Sequence, residues 1–467
     1  MSPVTNDQLE SADIQGLLAR GFGNLPWASY VMVHIAEPSP ARSLVREWAN
    51  RVTPANASPL DTAMNVALTA QGVRALTTKS AVDLGFSEPY ATGMVTEYRS
   101  RLLGDVGKNA PAGWEWGGPN CEPVHLAVLL YAASEARLSE LQKSVIGSLA
   151  TGGMRVAKLL GTAELTDREP FGFHDGISQP VIAEFASTSR EGDVVKSGEF
   201  VLGYVNEYSQ RTERPLLAAD SDPQRILPHD PDGSGAADLG RNGSYLVFRQ
   251  LRQDIAAFED FLTQSASVDG HVDAAAKERL AAKLVGRWRE SGAPLTLSPD
   301  YDDLSYAKAN RFGYHEQDPD GLRCPLGAHV RRANPRDSLP PNPGTEESRQ
   351  VNRRHRLLRR GRNYGPGGTE PSDAPRGLHF LCLNANIARQ YEFVQHSWVN
   401  DPNFAGMVGV EDPLTGPRAG TTSFVEPAVP LRSRHTGLPQ FVQVRGGAYF
   451  FLPGIPALRY LSSTPVI

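Results

Sequence analysis

Two stretches of the sequence share an aromatic start, SYVMVHIA at residues 29–36 and SYLVFR at residues 244–249. Both are short and rich in β-branched and aromatic residues, which is typical of strands. Each is followed by apolar residues at helical spacing, within residues 41–52 and residues 253–264. The same order of strand and helix recurs over residues 124–149 and 377–398. This recurrence predicts an α+β fold with antiparallel sheets and peripheral helices, in two ferredoxin-like domains.

The domain boundaries follow from the segments without periodicity. We expect an N-terminal ferredoxin-like domain over residues 1–206, an irregular connector over residues 207–243 and a C-terminal ferredoxin-like domain over residues 244–467. The connector is rich in Pro, Asp, Gly and Arg, which indicates a long surface loop. A second irregular stretch is predicted at residues 334–372, which contain PPNPG and YGPGG.

The composition limits the function classes. The 467 residues include 47 Lys and Arg against 52 Asp and Glu, a net charge of −5, which excludes a globally basic nucleic-acid coat. Cys121, Cys324 and Cys382 lie far apart without CxxC spacing, so neither a zinc ribbon nor a disulfide framework is indicated. The N-terminal residues lack the pattern of a signal peptide, and no apolar run reaches the roughly 20 residues that cross a bilayer. We therefore expect a cytoplasmic protein without membrane association.

The segment EPFGFHDGISQP at residues 169–180 places Asp175 after two phenylalanines and before a glycine. A carboxylate in an apolar wall holds a proton more readily, which makes Asp175 a candidate acid/base group. The same letters also fit an ordinary Asp-Gly turn, and composition alone favours that interpretation. The neighbouring His174 is expected to be a packing or surface histidine.

The segment RCPLGAHVRRANPR at residues 323–336 contains one histidine, His329. The small and apolar residues 326–328 before it would let a flat cofactor approach the imidazole. The arginines after it, Arg331 and Arg332, would neutralise carboxylate groups on that cofactor. Heme meets both conditions, although a lone histidine is more often structural than a ligand.

The sequence from His329 to Asn363 is unusually rich in arginine. Its ten arginines are Arg331, Arg332, Arg336, Arg349, Arg353, Arg354, Arg356, Arg359, Arg360 and Arg362. They predict a local positive field in an acidic protein, suited to anionic groups. We rank a small anionic ligand or a solvated face ahead of RNA, because no RNA-binding motif accompanies the arginines.

In this order, GFHDGISQP, CPLGAHVRRANPR and LLRRGRNYGPGG resemble the dye-decolorizing peroxidases, a family of heme peroxidases. The family's GxxDG signature falls at residues 172–176. The stretches YEFVQHSWVNDPNF at residues 391–404 and RGGAYFFLP at residues 445–453 add to the resemblance. It covers most of the chain from residue 169 onward and is most similar to the long, fungal-like branch.

The resemblance implies a fold of the dimeric α+β barrel type, with heme b bound in the C-terminal domain. By motif match, Asp175 is the distal acid/base group, His329 the proximal iron ligand and Arg359 the distal arginine. Arg359 is chosen over Arg360 because it lies six residues before Gly365. The acid that supports the proximal imidazole matches less clearly, and Asp412 and Glu426 both stay candidates.

The function that the resemblance implies is reduction of hydrogen peroxide coupled to one-electron oxidation of dyes, phenols or other aromatic reductants. The expected partners are therefore peroxide and an aromatic reductant, without nucleic acid, and self-association into a homo-oligomer is left open. Two alternatives remain. A heme-binding or iron-release protein with incidental peroxidase activity would not need Asp175, and an anion- or RNA-binding protein would use only the arginine-rich segment.

Overall fold

The main sheet has nine strands in the computed structural model, which describes residues 8–58, 60–185, 194–366, 374–418 and 423–463. The strands are β1 (Trp27–Ile35), β2 (Thr62–Leu68), β3 (Leu126–Ala132), β4 (Met154–Gly161), β5 (Ser244–Gln253), β6 (Leu358–Arg359), β7 (Arg362–Tyr364), β8 (Gly377–Asn384) and β9 (Val442–Leu452). Four short pairs lie outside it: Val181–Ile182 with Val194–Val195, Leu216–Leu217 with Ala237–Asp238, Ser267–Val268 with His271–Val272, and Ser423–Glu426 with Ser433–Thr436.

Helices surround this sheet. They are α1 (Gly16–Ala19), α2 (Pro38–Ala49), α3 (Ala70–Thr77), α4 (Glu88–Thr92), α5 (Glu97–Leu103), α6 (Glu135–Leu149), α7 (Ile255–Ser265), α8 (Ala274–Val285), α9 (Tyr314–Gln317), α10 (His329–Ala333), α11 (Glu346–Arg353) and α12 (Ile455–Ser463). Two π-helical segments, Ala388–Glu392 and Val394–Val399, follow β8. No helix in the described ranges is both long and apolar enough to cross a membrane.

The strand order shows that the two halves of the sheet repeat one plan. The order is β6-β8-β5-β9-β2-β3-β1-β4, and β7 also pairs with β8. Within each half, the strands stand in the order second, third, first, fourth, and the paired strands are antiparallel. The predicted α+β fold with two ferredoxin-like units is confirmed. The exact domain boundaries stay a prediction.

The two halves meet at two junctions, one in the middle of the strand order and one where the two edges of the sheet approach each other. At one junction β9 pairs with β2 through Phe451 and Leu68. At the other, Ala163 N–H, just after β4, donates to Asn363 O of β7 at 2.8 Å, and a ring nitrogen of His379 lies 3.0 Å from Gly161 O. The sheet therefore curves into a barrel-like ring, filled by an apolar cluster that includes aromatic residues from both halves.

The outer helices bury one apolar face each. In α2, Ala41, Leu44, Val45 and Trp48 are buried at intervals of three and four residues, which places them on one side of the helix. In α7 the same spacing buries Ile255, Phe258 and Leu262, and Asp254 caps the helix by accepting a hydrogen bond from Ala257 N–H. These two predicted helices are confirmed.

Hydrophobic periodicity missed four strands of the main sheet and every α-helix in the described ranges other than α2, α6 and α7. Strands β2, β4, β6 and β7 are not indicated by it, because two of them have three residues or fewer and β4 carries Arg155 and Lys158 along its length. The prediction of an irregular stretch over residues 334–372 is wrong, since it contains α11, β6 and β7; residues 367–372 lie outside the described ranges. Helix α11 has the sequence EESRQVNR, which offers almost no apolar face to detect.

Phe451 tests the junction between the halves. Its ring is fully buried and contacts the rings of Phe86, Tyr90 and Tyr245. We expect Phe451→Ala to lower the free energy of unfolding by about 3–5 kcal/mol, because a buried aromatic ring leaves a cavity. Leu431→Ala, at an exposed side chain, should change it by less than about 0.5 kcal/mol. Urea denaturation curves that coincide for the two variants would contradict this role.

Candidate active site

One cavity brings together the three side chains that the sequence motifs predict. Asp175, His329 and Arg359 all line it. Much of the remaining wall is apolar and comes from several elements: Phe171, Leu251, Val285, Leu378, Phe380 and Leu414. Most of the lining comes from the C-terminal half of the fold, and the N-terminal half contributes the loop after β4 together with Leu103, Gly104, Asp105 and Asn109.

Asp175 lies in a tight turn at the edge of this cavity. Its backbone N–H donates to Asp167 O at 3.0 Å, and its Oδ1 accepts from Gly176 N–H at 2.6 Å. Gly176 has a φ of +83°, a conformation that disfavours other residues. The Asp-Gly turn is therefore present, and the turn presents the carboxylate to the cavity. The Asp175 side chain is 39% exposed, and Phe171 and Phe173 line the same cavity.

Glu169 anchors the loop that carries Asp175. Its carboxylate accepts hydrogen bonds from Phe171 N–H at 3.0 Å, Phe173 N–H at 2.9 Å and Gln253 Nε2 at 2.7 Å. Burial raises the pKa of the Glu169 carboxyl, against the lowering effect of these three donors. No sequence pattern singled out Glu169, although its position six residues before Asp175 fits a carboxylate that binds the N–H groups of its own loop.

Arg359 extends from edge strand β6 to the same turn. Its NH2 donates to Asp175 Oδ1 at 3.0 Å, and its backbone N–H donates to Gln179 Oε1 at 3.0 Å. The next residue, Arg360, instead donates to Leu17 O at 2.8 Å and Leu18 O at 2.9 Å, because successive residues of a strand point to opposite faces. The structure thus places Arg359, and not Arg360, at the cavity.

His329 is the first residue of α10. This helix approaches the end of α8 closely, and a Cβ on Gly286 would lie 2.4 Å from Val330 Cγ2. The imidazole Nδ1 is 2.9 Å from Asp412 Oδ2. Within the described ranges, no protein group hydrogen-bonds to Nε2. The ring therefore has one nitrogen fixed and the other available to a ligand.

Asp412 is the acid behind this imidazole. Its side chain is fully buried, and its Oδ1 accepts hydrogen bonds from Leu414 N–H and Thr415 N–H at 3.0 and 2.8 Å. Burial would raise the pKa of Asp412, but His329 and Arg332 hold it well below its ordinary value. Removal from water lowers the pKa of His329, and the Asp412 charge more than reverses that effect. The other candidate acid, Glu426, contacts a different histidine, because its Oε1 lies 2.7 Å from His435 Nε2.

The predicted cofactor contact of Arg331 is wrong. Its guanidinium is buried, and NH1 donates to Asp318 Oδ2 at 3.0 Å and Cys324 O at 2.7 Å, away from the cavity wall. Arg336, which the sequence analysis did not single out as a cofactor contact, lines the cavity instead. No carboxylate of the described residues lies within ion-pair distance of it.

Residues 326–328, before His329, do not form the surface on which the sequence predicted that a flat cofactor would lie. They do not line the cavity. A Cβ on Gly327 would lie 3.3 Å from Val410 Cγ1 and 3.4 Å from Met407 Sδ. The glycine therefore admits a neighbouring loop, and the cofactor-facing surface is formed by other residues.

Many arginines of the arginine-rich segment donate hydrogen bonds to other groups of the protein. Arg332 NH1 donates to Trp398 O and Asp401 O at 2.9 Å each, and Arg362 NH2 donates to Phe22 O at 2.9 Å. Both side chains are buried. The ten arginines therefore do not form one exposed basic face, which removes the observation that favoured RNA binding.

Comparison with known proteins identifies the family of this chain. No protein-family model matches it. Peroxidase 2 of Mycetinis scorodonius is 31% identical over 85% of this chain and 76% of its own length. A dye-decolorizing peroxidase of Mycena epipterygia is 30% identical over 86% of this chain and 76% of its own length. The chain belongs to the dye-decolorizing peroxidase family. A solved dye-decolorizing peroxidase in complex with 2,6-dimethoxyphenol shares the fold, with a TM-score of 0.77 and 24% identity over 98% of this chain and all of that one.

Membership of the dye-decolorizing peroxidase family makes the chain a peroxidase and implies a heme cofactor. The cavity fits heme in three respects. Its wall is largely apolar, His329 keeps Nε2 available, and Arg336 is a cation without a carboxylate partner in the described ranges. An imidazole that donates Nδ1–H to a carboxylate is the usual arrangement of a metal-binding histidine.

The Asp412 contact predicts how firmly the peroxidase retains heme. We expect Asp412→Ala to weaken heme binding about 10- to 100-fold, because the imidazole loses the group that orients it. Glu426→Ala is the matched control, since that acid contacts His435. The measurement is a heme titration of the apoprotein by absorbance. Equal weakening in both variants would contradict the assignment of Asp412.

Proposed function

We propose that this chain is a heme b peroxidase in which His329 binds the iron, Asp175 moves the peroxide proton and Arg359 stabilises the departing oxygen. The observation that carries the proposal is that one cavity is lined both by His329, whose Nδ1 contacts the buried Asp412, and by the Asp175–Arg359 pair. Arg336 is the cation that we assign to the heme carboxylates.

When bound, heme supplies the iron that accepts the two oxidising equivalents of peroxide. The protein groups supply the rest. Asp412, held ionised by His329 and Arg332, draws the Nδ1 proton of His329 toward itself and raises the electron-donating strength of Nε2. When heme is bound, His329 would therefore donate more electron density to the iron.

On the peroxide side, the carboxylate of Asp175 accepts a proton from one oxygen of hydrogen peroxide and returns it to the other. With heme bound, the leaving oxygen would take the electron pair of the O–O bond and depart as water, and the heme would supply the two electrons that the other oxygen lacks. Arg359 NH2 is 3.0 Å from Asp175 Oδ1, so a positive charge stands beside the site where negative charge grows. The two residues divide proton transfer and charge stabilisation between them.

The reductants that we propose are phenols and dyes, each oxidised by one electron. The solved relative with 2,6-dimethoxyphenol supports the phenolic class. Oxidation of two phenols releases two electrons and two protons, which together with one peroxide yield two waters. The cytoplasmic location stays a prediction from the sequence.

The proximal ligand is tested by His329→Ala. We expect the purified variant to lack the heme absorption band, because it loses the imidazole that we assign to the iron. A variant that retains stoichiometric heme would contradict the assignment of His329.

The distal pair is tested separately from heme binding. We expect Asp175→Asn and Arg359→Leu to retain heme and to react with peroxide about 10²- to 10⁴-fold more slowly. Stopped-flow absorbance after peroxide addition measures this, and Asp320→Asn, at an exposed loop position, is the control. Rates equal to that of the wild type in both variants would rule out the assigned roles. Accumulation of iron-free porphyrin, without phenol oxidation, would instead favour the iron-release function.

A further inference from the structure

A second, more polar cavity adjoins the active-site cavity. It has a volume of about 850 Å³, within the range of small-molecule sites. We call it the vestibule. One wall is the segment of residues 308–317, and another is α11 with the residues that follow it. It shares five lining residues with the active-site cavity: Asp175, Gly176, Ile177, Arg336 and Arg356.

The lining of the vestibule has more cations than anions. The six cations are Lys308, Arg311, Arg336, Arg349, Arg353 and Arg356, and the four carboxylates are Asp175, Glu316, Asp337 and Glu346. In a protein with a net charge of −5, such an excess in one concave region attracts anions.

Three of the four carboxylates are already engaged. Asp175 is paired with Arg359, and Glu346 is paired with Arg353. Asp337 Oδ1 accepts hydrogen bonds from Tyr314 N–H at 2.6 Å and from His315 N–H at 3.1 Å. Glu316 and Asp337 are left to offset the remaining cations, because the backbone N–H groups that Asp337 binds carry no net charge.

Arg311 and Arg349 are two lining cations without a carboxylate partner in the described ranges, as is Arg336, which we assign to the heme carboxylates. Arg311 is exposed on the 308–317 wall, and Arg349 is half-buried on α11. No carboxylate of the described residues is within ion-pair distance of either guanidinium. By contrast, Lys308 is paired with Asp167 at 2.8 Å. These two arginines stand on different walls of the same cavity.

The vestibule also has a surface suited to an aromatic ring. The guanidinium of Arg336 lies 3.8 Å from the centre of the Phe312 ring, and both residues line the vestibule. Stacked guanidinium and phenyl groups present flat faces, on which another aromatic ring packs well. The vestibule thus has a surface for an aromatic ring and cations for an anionic group of the same ligand.

We propose that the vestibule binds phenols that carry a carboxylate, and that Arg311 and Arg349 bind that carboxylate. The proposal rests on the proposed peroxidase function and names its substrate class. The phenol then lies beside Asp175, at the entrance to the active-site cavity. Each bound phenol loses one electron and its hydroxyl proton to become a phenoxyl radical, and two such losses reduce one peroxide to two waters.

The test compares two phenols that differ by the carboxylate, 2,6-dimethoxyphenol and 4-hydroxy-3,5-dimethoxybenzoate. The readout is the ratio of kcat/KM for the carboxylated phenol to kcat/KM for the neutral one. In Arg311→Gln/Arg349→Gln we expect this ratio to fall about threefold to tenfold, from the loss of two partly exposed charge contacts. Arg279→Gln, at an exposed position of α8, should keep the wild-type ratio. A ratio unchanged in the double variant would overturn the proposal.

A binding measurement separates this proposal from the peroxidase function. The wild-type holoenzyme is titrated calorimetrically with 4-hydroxy-3,5-dimethoxybenzoate in the absence of peroxide. We expect the double variant to raise the Kd by the same factor as the ratio above, and added salt to weaken wild-type binding more than binding by the variant. If wild type oxidises neither phenol, the peroxidase function fails, while this titration still decides whether the vestibule binds the anion. Equal Kd values for wild type and the double variant would overturn the vestibule site.

Discussion

The buried carboxylate of Asp412 is the constraint on which the proximal side of the site depends. A charge without access to water is tolerated only when partners compensate it. His329 supplies one partner, and the backbone N–H groups of Leu414 and Thr415 supply others. Arg332 connects this loop to the rest of the fold, because its guanidinium donates to Val410 O and Trp398 O. The imidazole direction is therefore fixed by a network that spans three separate segments of the chain.

The distal side depends on closure of the sheet. Asp175 follows β4, whereas Arg359 lies on β6, at the other end of the strand order. Asn363 connects these ends, because its backbone O accepts from Ala163 N–H and its Nδ2 donates to Arg168 O at 2.7 Å. The Asp175–Arg359 contact thus forms where the two edges of the sheet meet. Neither half could hold both residues alone.

The arginines that are close together in the sequence do not form one positively charged surface in the folded protein. Of the ten between His329 and Asn363, three line the active-site cavity: Arg336, Arg356 and Arg359. Others donate hydrogen bonds to backbone carbonyls, as Arg332 and Arg360 do, or to a buried carboxylate, as Arg331 does. A guanidinium has five donors, and in this fold most of them connect loops.

Elements with a local cause, and residue types with a specific chemistry, could be predicted from the sequence. Strands β1, β3, β5 and β8, helices α2, α6 and α7, and the order of Asp175, His329 and Arg359 were all predicted, because periodicity and motifs depend on neighbouring residues. The choice of Asp412 over Glu426, the places of Arg336 and Glu169, and the exclusion of Arg331 were not. They depend on contacts between segments far apart in the chain, such as the 83 residues that separate His329 from Asp412, and only the folded chain brings those side chains within hydrogen-bonding distance.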